Sequence, residues 1–149
     1  MSSSFTSISV VLPAYNEATS IVATVREICA YFERKPYRFD LIVSADGNDG
    51  TRELVNELAV KDPRIKVIGH QTRSGKGRGV REGFRLAQGD VIGFVDADNK
   101  TPIDEFDKFE PEFAAGADVV IGSRALRDCF TGATGTVRLV SPTTFSSKG

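Results

Sequence analysis

The sequence is poor in the residues that most often announce a chemistry. It holds one histidine, His70, and two cysteines, Cys29 and Cys129. Two cysteines do not make a disulfide framework, so two free thiols in a reducing compartment are expected. No Cys/His cluster has metal-site spacing. His70 has no serine or cysteine partner in the pattern, so it reads as a polar loop residue and not as a catalytic one. Basic charge is not in excess: 19 Lys and Arg face 20 Asp and Glu, for a net charge of −1. That excludes the electrostatic footprint of a nucleic-acid binder. No apolar run approaches the ~20 residues of a membrane span. The opening "MSSSFTS" lacks the charged and apolar regions of a signal peptide. A soluble, cytoplasmic chain is expected, still free to dock peripherally on the cytosolic face of a membrane.

What is present is an alternation. Its 149 residues suffice for one domain with a real core. Short apolar runs at 8–12, 39–44, 65–68, 90–95 and 119–121 read as strands buried on both faces. Between them lie apolar residues at helical spacing. Ile21, Val25, Ile28 and Phe32 predict a helix over 17–34, and Leu54, Val55, Leu58 and Ala59 a second. Val80, Phe84 and Ala87 mark a third, with Gly83 as a weak spot. "TPID" at 101–104 resembles a capping box, and Phe106, Phe109 and Phe113 give the helix after it an apolar stripe. Strand alternating with helix predicts an α/β domain, its sheet mainly parallel and its helices on both faces. Residues 137–140 fit a strand or a short helix. The tail from Asp128 is rich in Ser, Thr and Gly. It reads as an irregular end or as the start of a region that continues in a longer protein.

In such sheets ligands bind beyond the carboxyl ends of the strands, and the polar loops all follow strands. "GFVDADNK" at 93–100 ends a buried run in two carboxylates, Asp96 and Asp98. Like charges this close need a positive partner. Residues i and i+2 of an extended chain point the same way, so the pair offers hard oxygen ligands for Mg²⁺ or Mn²⁺. The plainer alternative is a turn cap beside a solvated acid, helped by Lys100. "RSGKGRG" at 73–79 combines three glycines with Lys76 just before a helix, but not at P-loop spacing. It is either a flexible basic turn or a cradle for a diphosphate. In "LPAYNE", Tyr15 offers a flat ring and Glu17 an acceptor for hydroxyls; a helix cap at Asn16 explains the stretch equally well. In "SADGNDGT", Asp49 is a candidate helix cap, and Asp46, nearer the strand end, is the better ligand candidate.

Taken in order, "SVVLPAYNE", "SADGNDGT", "SGKGRGVREGF", "GFVDADN" and "DVVIGSRAL" resemble the family-2 glycosyltransferases of the GT-A fold. The nearest likeness is to the dolichyl-phosphate and polyprenyl-phosphate mannosyl- and glucosyltransferases. The resemblance spans roughly 8–126. It implies a three-layer α/β/α nucleotide-sugar-binding core over 1–127, with 128–149 as a tail or the start of an acceptor-binding region. It implies inverting, metal-dependent transfer of a hexose from a UDP- or GDP-sugar to a polyprenyl phosphate. Pro13, Tyr15, Glu17 and Asp46 would hold the nucleoside, and Lys76 would lie near the base or diphosphate. Asp96 and Asp98 would bind Mg²⁺ or Mn²⁺ on the diphosphate, with Ala97 packed near the ribose. Arg124 would face the transferred sugar or phosphate, so that Asp98, Lys76 and Arg124 would be the catalytic residues. The alternatives are transfer to a glycan or protein hydroxyl, or a silent nucleotide-sugar-binding module. One departure is visible: the family usually carries "DDGSxDGT" where this chain has "SADGNDGT".

Overall fold

The computed structural model describes residues 5–97, 103–111, 119–121 and 138–140. In chain order they form β1 (Ser7–Tyr15), α1 (Ile21–Glu33), β2 (Arg38–Asp46), α2 (Thr51–Lys61), β3 (Ile65–Ile68), α3 (Lys76–Leu86), β4 (Val91–Phe94), a 3-10 segment (Ile103–Lys108), β5 (Val119–Ile121) and β6 (Arg138–Val140). The strands lie side by side as β3-β2-β1-β4-β6-β5. β1, β2, β3 and β4 are mutually parallel, while β6 pairs antiparallel with both β4 and β5. The expected α/β fold with a mainly parallel sheet is therefore present, and 138–140 resolves to a strand.

Side-chain alternation along β1 explains the layering. Ile8, Val10, Leu12 and Ala14 belong to one core cluster with Ile21, Val25, Ile28 and Phe32 of α1 and Val55 of α2. The intervening Val11 points the other way and meets α3 at Gly83. Both faces of the central strand are thus covered, which is why these strands read as continuous apolar runs. Gly83 is not a weak spot. A Cβ there would lie 2.5 Å from Val11 Cγ1, and one at Gly79 would lie 2.7 Å from Ser44 Oγ. The two glycines let α3 press onto β1 and β2.

Two elements differ from expectation. α1 begins at Ile21 rather than at residue 17, because Asn16 takes a left-handed φ of 51° and Ser20 is the N-cap. The segment after the capping-box-like stretch opens as a 3-10 turn over Ile103–Lys108, and α-helix begins only at 110–111, where this described stretch ends. Ile103, Phe106 and Phe109 recur every third residue, the 3-10 period, so one edge of the turn meets the core. Phe113 lies outside the described residues. A polar clasp holds the turn down: the Tyr31 hydroxyl and Lys35 Nζ donate to Asp107, and Lys35 and the Tyr37 hydroxyl reach Glu110. Burial and these carboxylates push both phenols well above their usual pKa.

Candidate active site

The chain leaves β1 toward β2 and β3 on one side, then returns to lay β4 on the other. The carboxyl ends of β1 and β4 therefore diverge, which is where open α/β sheets form their crevice. A cleft of about 340 Å³ sits there, large enough for a small-molecule ligand. Pro13, Tyr15 and Glu17 line it from the end of β1, Asp46 from β2, Lys76 from α3, and Asp96 and Ala97 from beyond β4. Seven residues singled out in the sequence thus share one cavity. Asp98 and Arg124 lie outside the described residues. Arg73, Gly75 and Gly79 of the candidate cradle at 73–79 also line the cleft, as does Ser44, which was not singled out in the sequence. The clustering of basic residues from Arg73 onward was the available signal for Arg73.

Asp96 has a positive partner within the protein. Its carboxylate forms an ion pair with Lys76 Nζ, which also stands 5.4 Å from the centre of the Phe94 ring. The acid is 21% exposed and the lysine 52%. A pair this open to water contributes up to about 1 kcal/mol.

Asp46 organises the basic loop. It is 7% exposed and accepts hydrogen bonds from the amides of His70 (3.0 Å) and Ser74 (2.7 Å) and from the Ser74 hydroxyl (2.6 Å). Burial raises its pKa, but the Ser74 and His70 bonds outweigh burial and hold it below the usual carboxylate value. Neighbouring contacts stitch the same loop to the end of β2. The Gly47 amide donates to the His70 carbonyl, and Arg52 Nη1 donates to the carbonyls of Ala45 and His70. At Gly69, φ is 148°, and a Cβ would fall 1.9 Å from the Ala45 carbonyl oxygen, so only glycine fits. The loop so fixed carries the Arg73 guanidinium to 4.9 Å from the Tyr15 ring centre. It ends at Gly75, the N-cap of α3, with φ 97°.

α3 opens on the cleft with no side-chain cap and no acidic residue in its first turn. Nothing lies within 4 Å of a Cβ built on Gly75 or Gly77. Free amide donors, the positive end of a helix dipole and open space together favour an anion. Opposite, the Glu17 carboxylate accepts from the Ser20 hydroxyl. Asp49 bonds the Thr51 amide and hydroxyl, as a cap would, although Gly50 holds the N-cap position, and it also accepts from the Ala18 amide. His70 Nε2 lies 3.1 Å from Glu82 Oε2, a satisfied loop residue as expected.

Among the described residues no three His, Cys, Asp or Glu side chains gather as a metal cage. Asp96 presents one hard oxygen donor group beside an anion-attracting helix end. That donor set fits a small divalent cation shared with phosphate oxygens, since such ions are held by one or two carboxylates plus substrate phosphates. Also among the described residues, no helix is long and apolar enough to cross a membrane.

Comparison with known proteins bears on the family and the fold. The model of the family described as "Glycosyl transferase family 2" matches residues 9–147. A dolichyl-phosphate beta-glucosyltransferase of Trichomonas vaginalis is 36% identical over 126 residues, covering 77% of this chain and 37% of the relative. A bactoprenol glucosyl transferase of Shigella phage SfV is 31% identical over 121 residues, covering 80% and 39%. The chain thus spans about two fifths of the length of these relatives. Among solved structures, a mannosyltransferase from Pyrobaculum calidifontis in complex with GDP-Man and Mn²⁺ superposes with a TM-score of 0.69 over 93% of this chain and 45% of its own. At 21% identity that likeness shows the fold alone. S. aureus TarS in complex with UDP-GlcNAc gives 0.58 at 25% identity, over 76% and 33%. The chain belongs to glycosyl transferase family 2, and its fold is the GT-A type of nucleotide-sugar transferase.

Proposed function

We propose that this chain is the donor-binding core, over 1–127, of a hexosyltransferase that moves a hexose from a UDP- or GDP-sugar to a polyprenyl phosphate with inversion. The observation that carries the reading is the meeting of Asp96, Lys76, Tyr15 and the Asp46-anchored loop at the β1/β4 crevice. The names of the relatives point to a lipid-phosphate acceptor.

The cleft geometry supports a role for each described residue, and the family resemblance suggests those of Asp98 and Arg124. Tyr15 and Arg73 offer a flat, cationic platform for a base. Pro13 and Glu17 form the wall beside it, and Ala97 backs the ribose. Asp46 holds the loop that faces the nucleoside. The uncapped end of α3 and Lys76 take the diphosphate. Asp96, with Asp98, would hold Mg²⁺ or Mn²⁺, which when bound would neutralise charge developing on the leaving diphosphate. By the family resemblance, Arg124 would act on the sugar or the acceptor phosphate. An acceptor phosphate oxygen attacks the anomeric carbon as the bond to the diphosphate oxygen breaks, and that oxygen keeps the electron pair. A phosphate monoester is largely ionised at neutral pH, its second pKa being about 6, so the attack needs no general base.

The lipid acceptor implies work at a membrane surface. Arg78, Arg81 and Arg85 are exposed and share the outer face of α3, opposite Gly79 and Gly83. Such a face suits anionic headgroups.

The test is transfer from radiolabelled UDP- or GDP-hexose to a polyprenyl phosphate. Label passing into the organic phase supports the reading. Label on a glycan or protein hydroxyl instead rejects the lipid-phosphate acceptor, and failure to bind either UDP or GDP rejects the donor-binding core.

A further inference from the structure

We infer that Lys76 is an internal counter-ion, holding the Asp96 carboxylate until a nucleoside diphosphate arrives with its cation and then turning to the diphosphate. This rests on the reading of the cleft given above and adds an order of events to it.

Three observations carry it. First, the pair is asymmetric: Asp96 is largely shielded while Lys76 is half exposed. The lysine is the movable member. Its neighbours Gly75 and Gly77 have open space where side chains would stand, so little obstructs a swing. Second, Lys76 is the first residue of α3. A cation there sits at the positive end of the helix dipole, the unfavourable end. No acidic residue of the first turn compensates it, so its compensation comes from across the cleft. A diphosphate at the same helix end would satisfy the dipole, the free amides and the ammonium together. Third, among the described residues the other acids lining the cleft are engaged. Asp46 is bonded to Ser74 and His70, and Glu17 to Ser20. Among the described residues, Asp96 is thus the carboxylate that Lys76 can neutralise and a cation can claim.

The consequence is coupling. A divalent cation arriving alone must displace an ammonium and gains few oxygen ligands. A nucleotide draws Lys76 away and supplies phosphate oxygens. Cation and nucleotide therefore bind as a unit, and the bare protein binds the cation weakly.

The experiment is titration of the full chain with Mn²⁺, following loss of the free-ion electron paramagnetic resonance signal, for wild type, Lys76→Met and Lys76→Arg. Thermal melts of each variant verify folding. In the absence of nucleotide, Lys76→Met should bind Mn²⁺ about fivefold tighter than wild type, the ratio set by a surface ion pair of this kind. Lys76→Arg keeps the charge and should match wild type. Equal Mn²⁺ affinity in wild type and Lys76→Met overturns the inference, as does an equal gain in both variants. Repeating the titration with UDP and GDP separates the two levels. If a nucleotide tightens Mn²⁺ binding to wild type while Lys76→Met gains nothing alone, only the counter-ion inference fails. If neither nucleotide changes Mn²⁺ binding, the reading of the cleft fails with it.

Discussion

Asp96 shows how far single residues could be read. Its place at the end of an apolar run, its role as a rim residue and its need for a positive partner followed from the pattern "GFVDADNK". The identity of that partner in the folded chain did not. Lys76 is 20 residues earlier, and only the packing of α3 beside β4 brings the two together. Asp46 was legible in position but not in use. Its carboxylate is bonded to Ser74 and His70, and a pairing across 24 to 28 residues leaves no local signature. Replacing it tests that use. Asp46→Asn should expose the His70 and Ser74 amides to hydrogen exchange and cost about 2 kcal/mol of stability, the scale of hydrogen bonds to a charged group. Unchanged protection at both amides contradicts the assignment. The cost should depend on pH. The native pKa of Asp46 lies below its ordinary value, so its contribution is complete above about pH 4, falls as pH drops below that and vanishes under the native pKa. Melting temperatures of wild type and Asp46→Asn should therefore converge in acid.

At the scale of elements, the short apolar runs marked the strands well because both faces of the sheet are covered. Helix ends were harder to read. Asn16 in a left-handed conformation moves the start of α1 to Ile21, and an i, i+3 phenylalanine pair suits a 3-10 turn as readily as an α-helix. The glycines of α3 divide by what surrounds them, which the sequence could not reveal. Gly83→Ala drives a methyl group to 2.5 Å from Val11 and should destabilise by about 1–3 kcal/mol through overpacking. Gly77→Ala meets nothing within 4 Å and should stabilise by up to about 1 kcal/mol, the difference in helix propensity. Chemical denaturation of the two variants checks the contrast. Effects of the same sign would mean that α3 does not pack on β1 as described.

For the whole molecule, alternation of strand and helix gave the fold class, and the rule for strand ends gave the location of the cleft. Asp98 and Arg124 stay expectations, because both lie outside the described residues. The net charge of −1 hid a local asymmetry: the arginines at 78, 81 and 85 share one helix face. Arg81→Glu with Arg85→Glu should lower binding to anionic vesicles, read by co-sedimentation, by at least about thirtyfold, at ~1 kcal/mol per basic residue. Vesicle binding unaltered by the charge reversal would remove α3 from the membrane-facing surface.

The central claim is that the β1/β4 crevice binds a nucleoside diphosphate through a divalent cation on Asp96. Calorimetric titration of UDP and GDP into wild type and Asp96→Asn, in Mn²⁺ and then in a chelator, tests it most directly. One nucleotide should bind wild type in Mn²⁺, and that binding should be lost on chelation and weakened at least about tenfold in Asp96→Asn, as when a hydrogen-bonded charge is removed. Equal affinity with and without the cation, or in wild type and variant, would contradict it.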